Sequence, residues 1–348
     1  MELEGGIRLS GGSIQKLSVP VTEPALNGEL GFSQGKFAVR RGNENLPLPP
    51  AIIYEFSSHV FAAGHSEGRT ASLPSVFEAL YSNLIWTTDI SLFRVENGVQ
   101  IWTVPKTGMY RIETAGAKGG GDRGGAGAII RGDFWLSKGD TVRILVGKRG
   151  AVTSQNSDFG AGGGGGSYVF FDASDVQPLI VAGGGGGHAE RSAGGPGSAT
   201  EEPTNSIGGG SGPKATAGHG GNSGANIGRY STGSGGGGWL TDGKRGHHIR
   251  NPPGDPGSAP RNGAAGGVEH HPNYGRGYGG FGGGAAFTDN SGAGGGGGYS
   301  GGIGGTLGQS GRLNGVVPTG GGSFNAGEVQ SNSAGANSGE GYISVVRL

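Results

Sequence analysis

Cysteine is absent from all 348 residues. No disulfide can therefore staple the fold, and no thiolate is available as a zinc ligand, an iron–sulfur ligand or a nucleophile. Long hydrophobic runs are also missing, with nothing near the ~18 consecutive apolar residues of a membrane-spanning helix. An excess of either charge is lacking too: 26 Lys and Arg face 26 Asp and Glu, and only 15% of residues are charged. A disordered solvating chain carries a large net charge, and a nucleic-acid binder needs a basic stripe against phosphates, so both classes are disfavoured. No Asn is followed two positions later by Ser or Thr, which argues against a glycoprotein of the eukaryotic secretory route. The opening MELEGGIRLSGG has neither the basic start nor the apolar stretch of a secretory signal. Synthesis and folding in a cytosol are expected.

Glycine is what the chain has in excess: 85 residues, with 17 Pro. Collagen is excluded, because the glycines come in runs rather than at every third position. They are also unevenly spread, 11 in residues 1–100 and 74 in residues 101–348. Three regions follow from that shift. Residues 1–55 are turn-rich, with strand-like pieces at Glu29–Phe32 and Lys36–Arg40, and are too short and polar to bury a core of their own. They are expected to be an extended N-terminal attachment segment. Residues 56–97 form a lead-in containing one helix over about 73–82. There Leu73, Val76, Phe77, Leu80 and Tyr81 make a single apolar stripe, Pro74 suits the first turn, and Ser72 or Ser75 could cap it.

Residues 98–348 read as mainly β. Alternation and β-branched or aromatic content predict strands over Gly98–Val104, Met109–Ala115, Ala128–Leu136, Thr141–Val146, Tyr168–Phe171, Leu179–Ala182 and Tyr342–Leu348. Their short, even spacing points to an antiparallel sandwich, with the last strand paired to an early one. Between them lie runs at Gly162–Gly166, Gly183–Gly187, Gly208–Gly210, Gly235–Gly238, Gly282–Gly284, Gly294–Gly298 and Gly320–Gly322. One such run is normally a linker. Seven predict a bundle of extended polyglycine-II helices, which lack Cβ atoms and can approach closely enough to bond backbone to backbone. Several runs end in a ring, at Tyr168, Trp239, Phe281, Tyr299 and Phe324. Such rings either plug the bundle ends, the favoured reading, or offer stacking platforms to a ligand.

Val99–Pro105, Thr107-Gly108, Tyr110–Ala117 and Gly119-Gly120 resemble the opening of the glycine-rich domain found in anaplastic lymphoma kinase and leukocyte tyrosine kinase. So do Leu136–Gly147, Gly162–Phe170, Pro178–Gly187 and Gly294–Gly302, in matching order over about residues 97–348. The resemblance implies a jelly-roll-like sandwich with an inserted bundle of polyglycine helices. In the receptors that domain binds a protein ligand, but this chain shows no kinase, no membrane helix and no cysteines. The module is also similar to a common element of structural proteins of tailed phages and other viruses. Their N-terminal segments resemble Asn27–Phe32 with Gly35–Phe37, and their lead-ins resemble Phe61, Gly64, Gly68-Arg69, Leu73 and Tyr81. In phage fibre tips, loops between polyglycine helices touch the host.

Several motifs look chemical. Matches to G-x-G-x-x-G are inevitable at this glycine content and count for nothing without a strand–turn–helix context. Gly238 to Gly243-Lys244 has P-loop spacing, but Arg245 replaces the required Ser or Thr. Arg131-Gly132-Asp133 spells an integrin-type tripeptide inside a predicted strand. His247-His248 and His270-His271 could hold a metal only if the two pairs met, since neighbours on an extended chain point opposite ways. No catalytic constellation, cofactor or metal is expected. The connections His188–Asn205 and Trp239–Tyr278 show the least periodicity, and loops on rigid scaffolds carry binding. Trp239, Arg245, His247, His248, Arg250, His270, His271, Tyr274 and Tyr278 are the candidate recognition residues.

The sequence therefore predicts a non-enzymatic virion protein made in the host cytoplasm, a tail-fibre or adhesin-type component. It would attach to other virion proteins through residues 1–55, form a homo-oligomer such as a trimer, and bind a host surface receptor or glycan. No nucleic acid or membrane insertion is expected. The alternatives are a capsid decoration or head-fibre protein and, in a different class, a ligand-binding receptor ectodomain.

Overall fold

The computed structural model describes residues 54–64, 68–152, 160–189, 192–205, 213–224, 231–248, 251–270, 277–288, 292–306 and 316–348, and the backbone of five strands before residue 54. The chain divides into two compact units, Met1–Glu55 and Phe56–Leu348. In the first, β1 (Leu9–Ser10) pairs with β2 (Ser13–Ile14). β3 (Glu29–Ser33), β4 (Lys36–Arg41) and β5 (Glu44–Pro47) form an antiparallel meander with Phe32 opposite Phe37 and Val39 opposite Leu46. β3 and β4 are the two predicted pieces; β5 was not predicted.

The second unit opens with β6 (Ser58–Ala62), α1 (Pro74–Leu80) and β7 (Phe93–Glu96). β8 (Val99–Thr103), β9 (Gly108–Ala115), β10 (Gly127–Leu136), β11 (Thr141–Leu145), β12 (Ser167–Phe170) and β13 (Ile180–Ala182) follow. The described chain closes with β14 (Phe324–Asn325), β15 (Glu328–Asn337) and β16 (Tyr342–Arg347). All seven predicted strands are present within one residue at either end. They build two antiparallel sheets, β15-β10-β9-β16-β6 and β14-β13-β12-β11-β8-β7. The last strand does pair with early ones, Val345 lying opposite both Ile112 and His59. Within residues 56–97, β6 and β7 each form an edge of one sheet. An Asn97-Gly98 turn with φ of 50° and 79° joins β7 to β8, and its two left-handed residues match the twist of a tight hairpin.

Alternation places Tyr110, Ile112, Ile130, Leu136, Val142 and Ile144 inside, around the fully buried Trp102. Phe56 lies 5.0 Å from Trp102 between ring centroids. The helix departs from the predicted stripe. Phe77 and Tyr81 are buried, whereas Leu73 is 69% and Leu80 50% exposed. Seven residues make only two turns, and a helix that short rests one contact line on its neighbour. Neither serine caps it. Leu73 occupies the cap with no side-chain bond, and the Ser72 hydroxyl instead donates to the Ala63 carbonyl at 2.9 Å.

The predicted run Gly282–Gly284 is instead a turn, with φ of 97° at Gly282 and 85° at Gly283, but others bond to one another with a period of three. In Gly294–Gly298, the amides of Gly294 and Gly297 donate to Ala161 and Gly164, and those of Gly295 and Gly298 to Ser234 and Gly237. Gly296 and Tyr299 donate to Thr319 and Gly322. Each step of three residues returns to the same neighbour three residues along, as a helix with three residues per turn requires. Gly183–Gly187 repeats this: Gly184 and Gly187 reach Gly297 and Gly294, while Gly185 and His188 reach Ala117 and Gly120. Neighbours run both parallel and antiparallel. A Cβ on Gly164 would sit against the Ala117 carbonyl, and one on Gly296 against the Gly184 carbonyl, both closer than contact distance. Gly208–Gly210 falls outside the described residues.

Candidate functional site

The rings that end the glycine runs converge. Tyr168, Trp239, Phe281, Tyr299 and Phe324 form one buried cluster with Leu145, Phe170 and Val181 where the bundle meets the six-stranded sheet. Tyr299 stacks on Phe324 at 4.8 Å, and Phe170 meets Trp239 edge-on at 5.2 Å. Tyr168 donates its hydroxyl to the Gly298 carbonyl at 3.1 Å, and burial raises its pKa well above the ordinary tyrosine value. The plug reading holds, and the platform reading fails because no face is open. Trp239 must consequently be withdrawn from the recognition residues: it is 0% exposed, with its indole N–H donated to the Asp175 carbonyl at 3.0 Å.

The connections read as loops are largely helices of the bundle. Lys244 donates its amide to Gly221, Gly243 to Gly257, Asp255 to Val268, Gly267 to Gly284 and Gly280 to Gly163. In the other connection Gly194, Gly197 and Ser198 bond Arg123, Ala126 and Gly321. At the end away from the ring cluster the bundle closes on short pairings: Val152 with Ala161, Gly160 with Ala189, Thr288 with Gly292, and Thr232 with both His247 and Thr306. Threonine hydroxyls finish the backbone there, Thr232 accepting from His247 N–H at 2.8 Å and Thr288 from Gly254 N–H at 2.9 Å.

Of the remaining candidates, the fold brings two together. Arg245 and His270 both reach the carboxylate of Asp255, Arg245 through Nη2 and His270 through Nε2 at 2.9 Å. Asp255 was not singled out in the sequence. It lies in a Gly-Asp-Pro stretch of a bundle helix with no spacing that marks it. His247 is exposed nearby along the chain, and the His248 ring accepts the Asn251 N–H at 2.5 Å. Tyr278 is half-buried and its carbonyl accepts from Ala151. Arg250, His271 and Tyr274 lie outside the described residues. The Arg245–Asp255–His270 group is a polar surface patch with a shared carboxylate, suited to hydrogen-bonded recognition. Exposed pairs of this kind contribute under about 1 kcal/mol to stability. Among the described residues no three His, Asp or Glu side chains cluster as a metal site.

The other motifs resolve plainly. Lys244 sits in a polyglycine-type helix rather than in a phosphate loop. Asp133 of the integrin-type tripeptide is 5% exposed in β10 and held by two 2.8 Å bonds from Arg111. That guanidinium keeps the carboxyl below its usual range. Lys148 is buried, donates to the Thr70 carbonyl at 3.0 Å, and has its pKa lowered by burial.

No family model matches the chain. The leukocyte tyrosine kinase receptor of the mouse (Mus musculus) is 31% identical over 98 residues, covering 26% of this chain. The match spans only 11% of that receptor's length.

Proposed function

We propose that this chain is a non-enzymatic structural protein of a virus particle, a tail-fibre or adhesin-type component whose glycine-rich module is displayed for recognition. The observation that carries this reading is the bundle itself. Its period-three backbone bonds make a rigid scaffold, and connections on rigid scaffolds are where binding resides. Residues 1–55, a compact unit of their own, would serve as the attachment to the particle. Recognition is assigned to the Arg245, Asp255 and His270 patch with His247 beside it. A host receptor or glycan with hydrogen-bonding groups is the partner class that such a patch suits.

Two measurements test this. Cryo-electron microscopy of the particle should place the chain on a tail fibre; a place on the capsid shell would instead favour a decoration or head-fibre protein. Residues 56–348 produced alone should fold but fail to incorporate, and normal incorporation would refute the attachment role. The likeness to the mouse receptor favours a second reading, a ligand-binding ectodomain module. Finding the chain on cell membranes rather than in purified particles would support it.

A further inference from the structure

The outer face of the five-stranded sheet carries a pattern that the fold does not use. Tyr110, Ile112 and Thr114 of β9 are fully buried, so Arg111 and Glu113 project outward. The strand register sets Arg111 opposite Asp133 and Glu113 opposite Arg131 on β10. Positive and negative groups thus alternate as a two-by-two checkerboard at the centre of the face. Arg111 binds Asp133 through two bonds, and Glu113 accepts the Tyr342 hydroxyl at 2.9 Å. Arg131 Nε is buried with no hydrogen-bond partner among the described residues.

Apolar rows flank this centre along the strands. On one side the register brings Trp135 opposite Met109, whose carbonyl accepts the Leu348 amide at 3.0 Å. On the other, Ile129 and Tyr342 lie on either side of Ala115. Trp135 is 66%, Leu348 57% and Val60 54% exposed. A solvated sheet face is ordinary. One that exposes a tryptophan and a leucine in one row, with a valine on the edge strand β6, is unusual.

We propose that this face binds a second copy of the chain across a twofold axis that lies across the strands, between the Arg111–Asp133 and Glu113–Arg131 rows. That operation puts Arg111 over the partner copy's glutamate and Arg131 over its aspartate. It also lays the Trp135 row onto the row holding Ile129 and Tyr342, so apolar meets apolar. The checkerboard is what selects the partner. Under this rotation each of these four charges faces its opposite, whereas an axis along β9 would stack Arg111 on itself. Five strands at about 4.8 Å and four side-chain rows bury roughly 600 Å² per copy, near the lower end for a specific interface. The inference does not depend on what the chain recognises.

Sedimentation equilibrium of the full-length chain at tens of micromolar provides the test. A dimer is expected, with the dissociation constant raised at least about tenfold by Trp135→Glu. Arg131→Glu should weaken it similarly, and adding Glu113→Arg, which mends the pairing within each chain but sets like charges against each other across the axis, should not restore it. Trp135 is mostly outside the fold, so an unchanged melting temperature for Trp135→Glu separates lost association from lost folding. A monomer at these concentrations would overturn the proposal and leave the face to a different protein. A trimer, or a dimer indifferent to Trp135→Glu, would overturn it equally.

Discussion

The sandwich and the bundle solve one problem, water exclusion, with opposite means. In the sandwich, alternate side chains fill the space between two sheets, with Trp102, Tyr110 and Phe61 all fully buried. In the bundle, buried space is filled by backbone, and each amide of Gly294–Gly298 finds a carbonyl on one of three neighbouring segments. The hydrophobic effect dominates in the first. The second is held by directional bonds that leave little room for a Cβ, and its largest apolar cluster among the described residues is the group of rings at its base. Deleting atoms should therefore hurt one half, and adding them the other.

Trp102→Ala should give the largest loss, about 3–5 kcal/mol in chemical denaturation, from lost burial and the cavity left behind. A loss under ~1 kcal/mol would mean the sandwich is not packed around that ring. Gly164→Ala and Gly296→Ala come next, at about 3 kcal/mol each, because one methyl must displace a neighbouring carbonyl. If both leave the melting temperature unmoved, the runs are linkers and the contrast disappears.

Acid separates the halves differently. His59 of β6 sits between Phe61, Tyr81 and Trp86 at 4.5, 4.7 and 5.2 Å, and burial lowers its pKa from 6.5 to about 4. Its Nε2 is buried with no hydrogen-bond partner among the described residues. A lowered histidine pKa means that the unfolded chain binds the proton first. This contribution is intact above pH 6.5, falls as the pH drops towards 4, and levels off below. Allowing for a ring that is not fully enclosed, the loss should be about 2 kcal/mol. Denaturation curves of wild type and His59→Phe from pH 7 to 4 check it, the variant losing that part of the slope; parallel curves would refute it. The smallest effect is expected at Gly139, which has φ of +89° and open space around its missing Cβ. Gly139→Ala should cost only about 1 kcal/mol, from backbone conformation alone. A loss matching that of Gly164→Ala would show that contact with neighbours is not what the bundle glycines avoid.

The strands with apolar alternation were legible in the sequence because burial on one face imposes it. β15 was not, since Glu328–Asn337 is polar and almost wholly exposed, and an edge strand held by β10 needs no apolar face. The bundle was legible where glycines are contiguous. It was hidden over residues 239–278, where Lys244, Asp255 and Val268 occupy helix positions whose side chains need not face a neighbour. Trp239 misled for a chemical reason. A large rigid ring serves a plug and a binding anchor equally well, and composition cannot tell them apart. Arg245 and His270 were found by residue type, but Asp255, the carboxylate that joins them, became visible only when three successive segments of the bundle lay side by side.

The central claim is that the glycine runs are hydrogen-bonded structure. Amide hydrogen exchange of the full chain at neutral pH tests it most directly. The amides of Gly184–Gly187 and Gly294–Gly298 should exchange as slowly as those of Tyr110–Thr114 in β9, because every one is bonded to a neighbouring segment. Exchange of those glycines at the rate of an unprotected chain, while β9 stays protected, would contradict it.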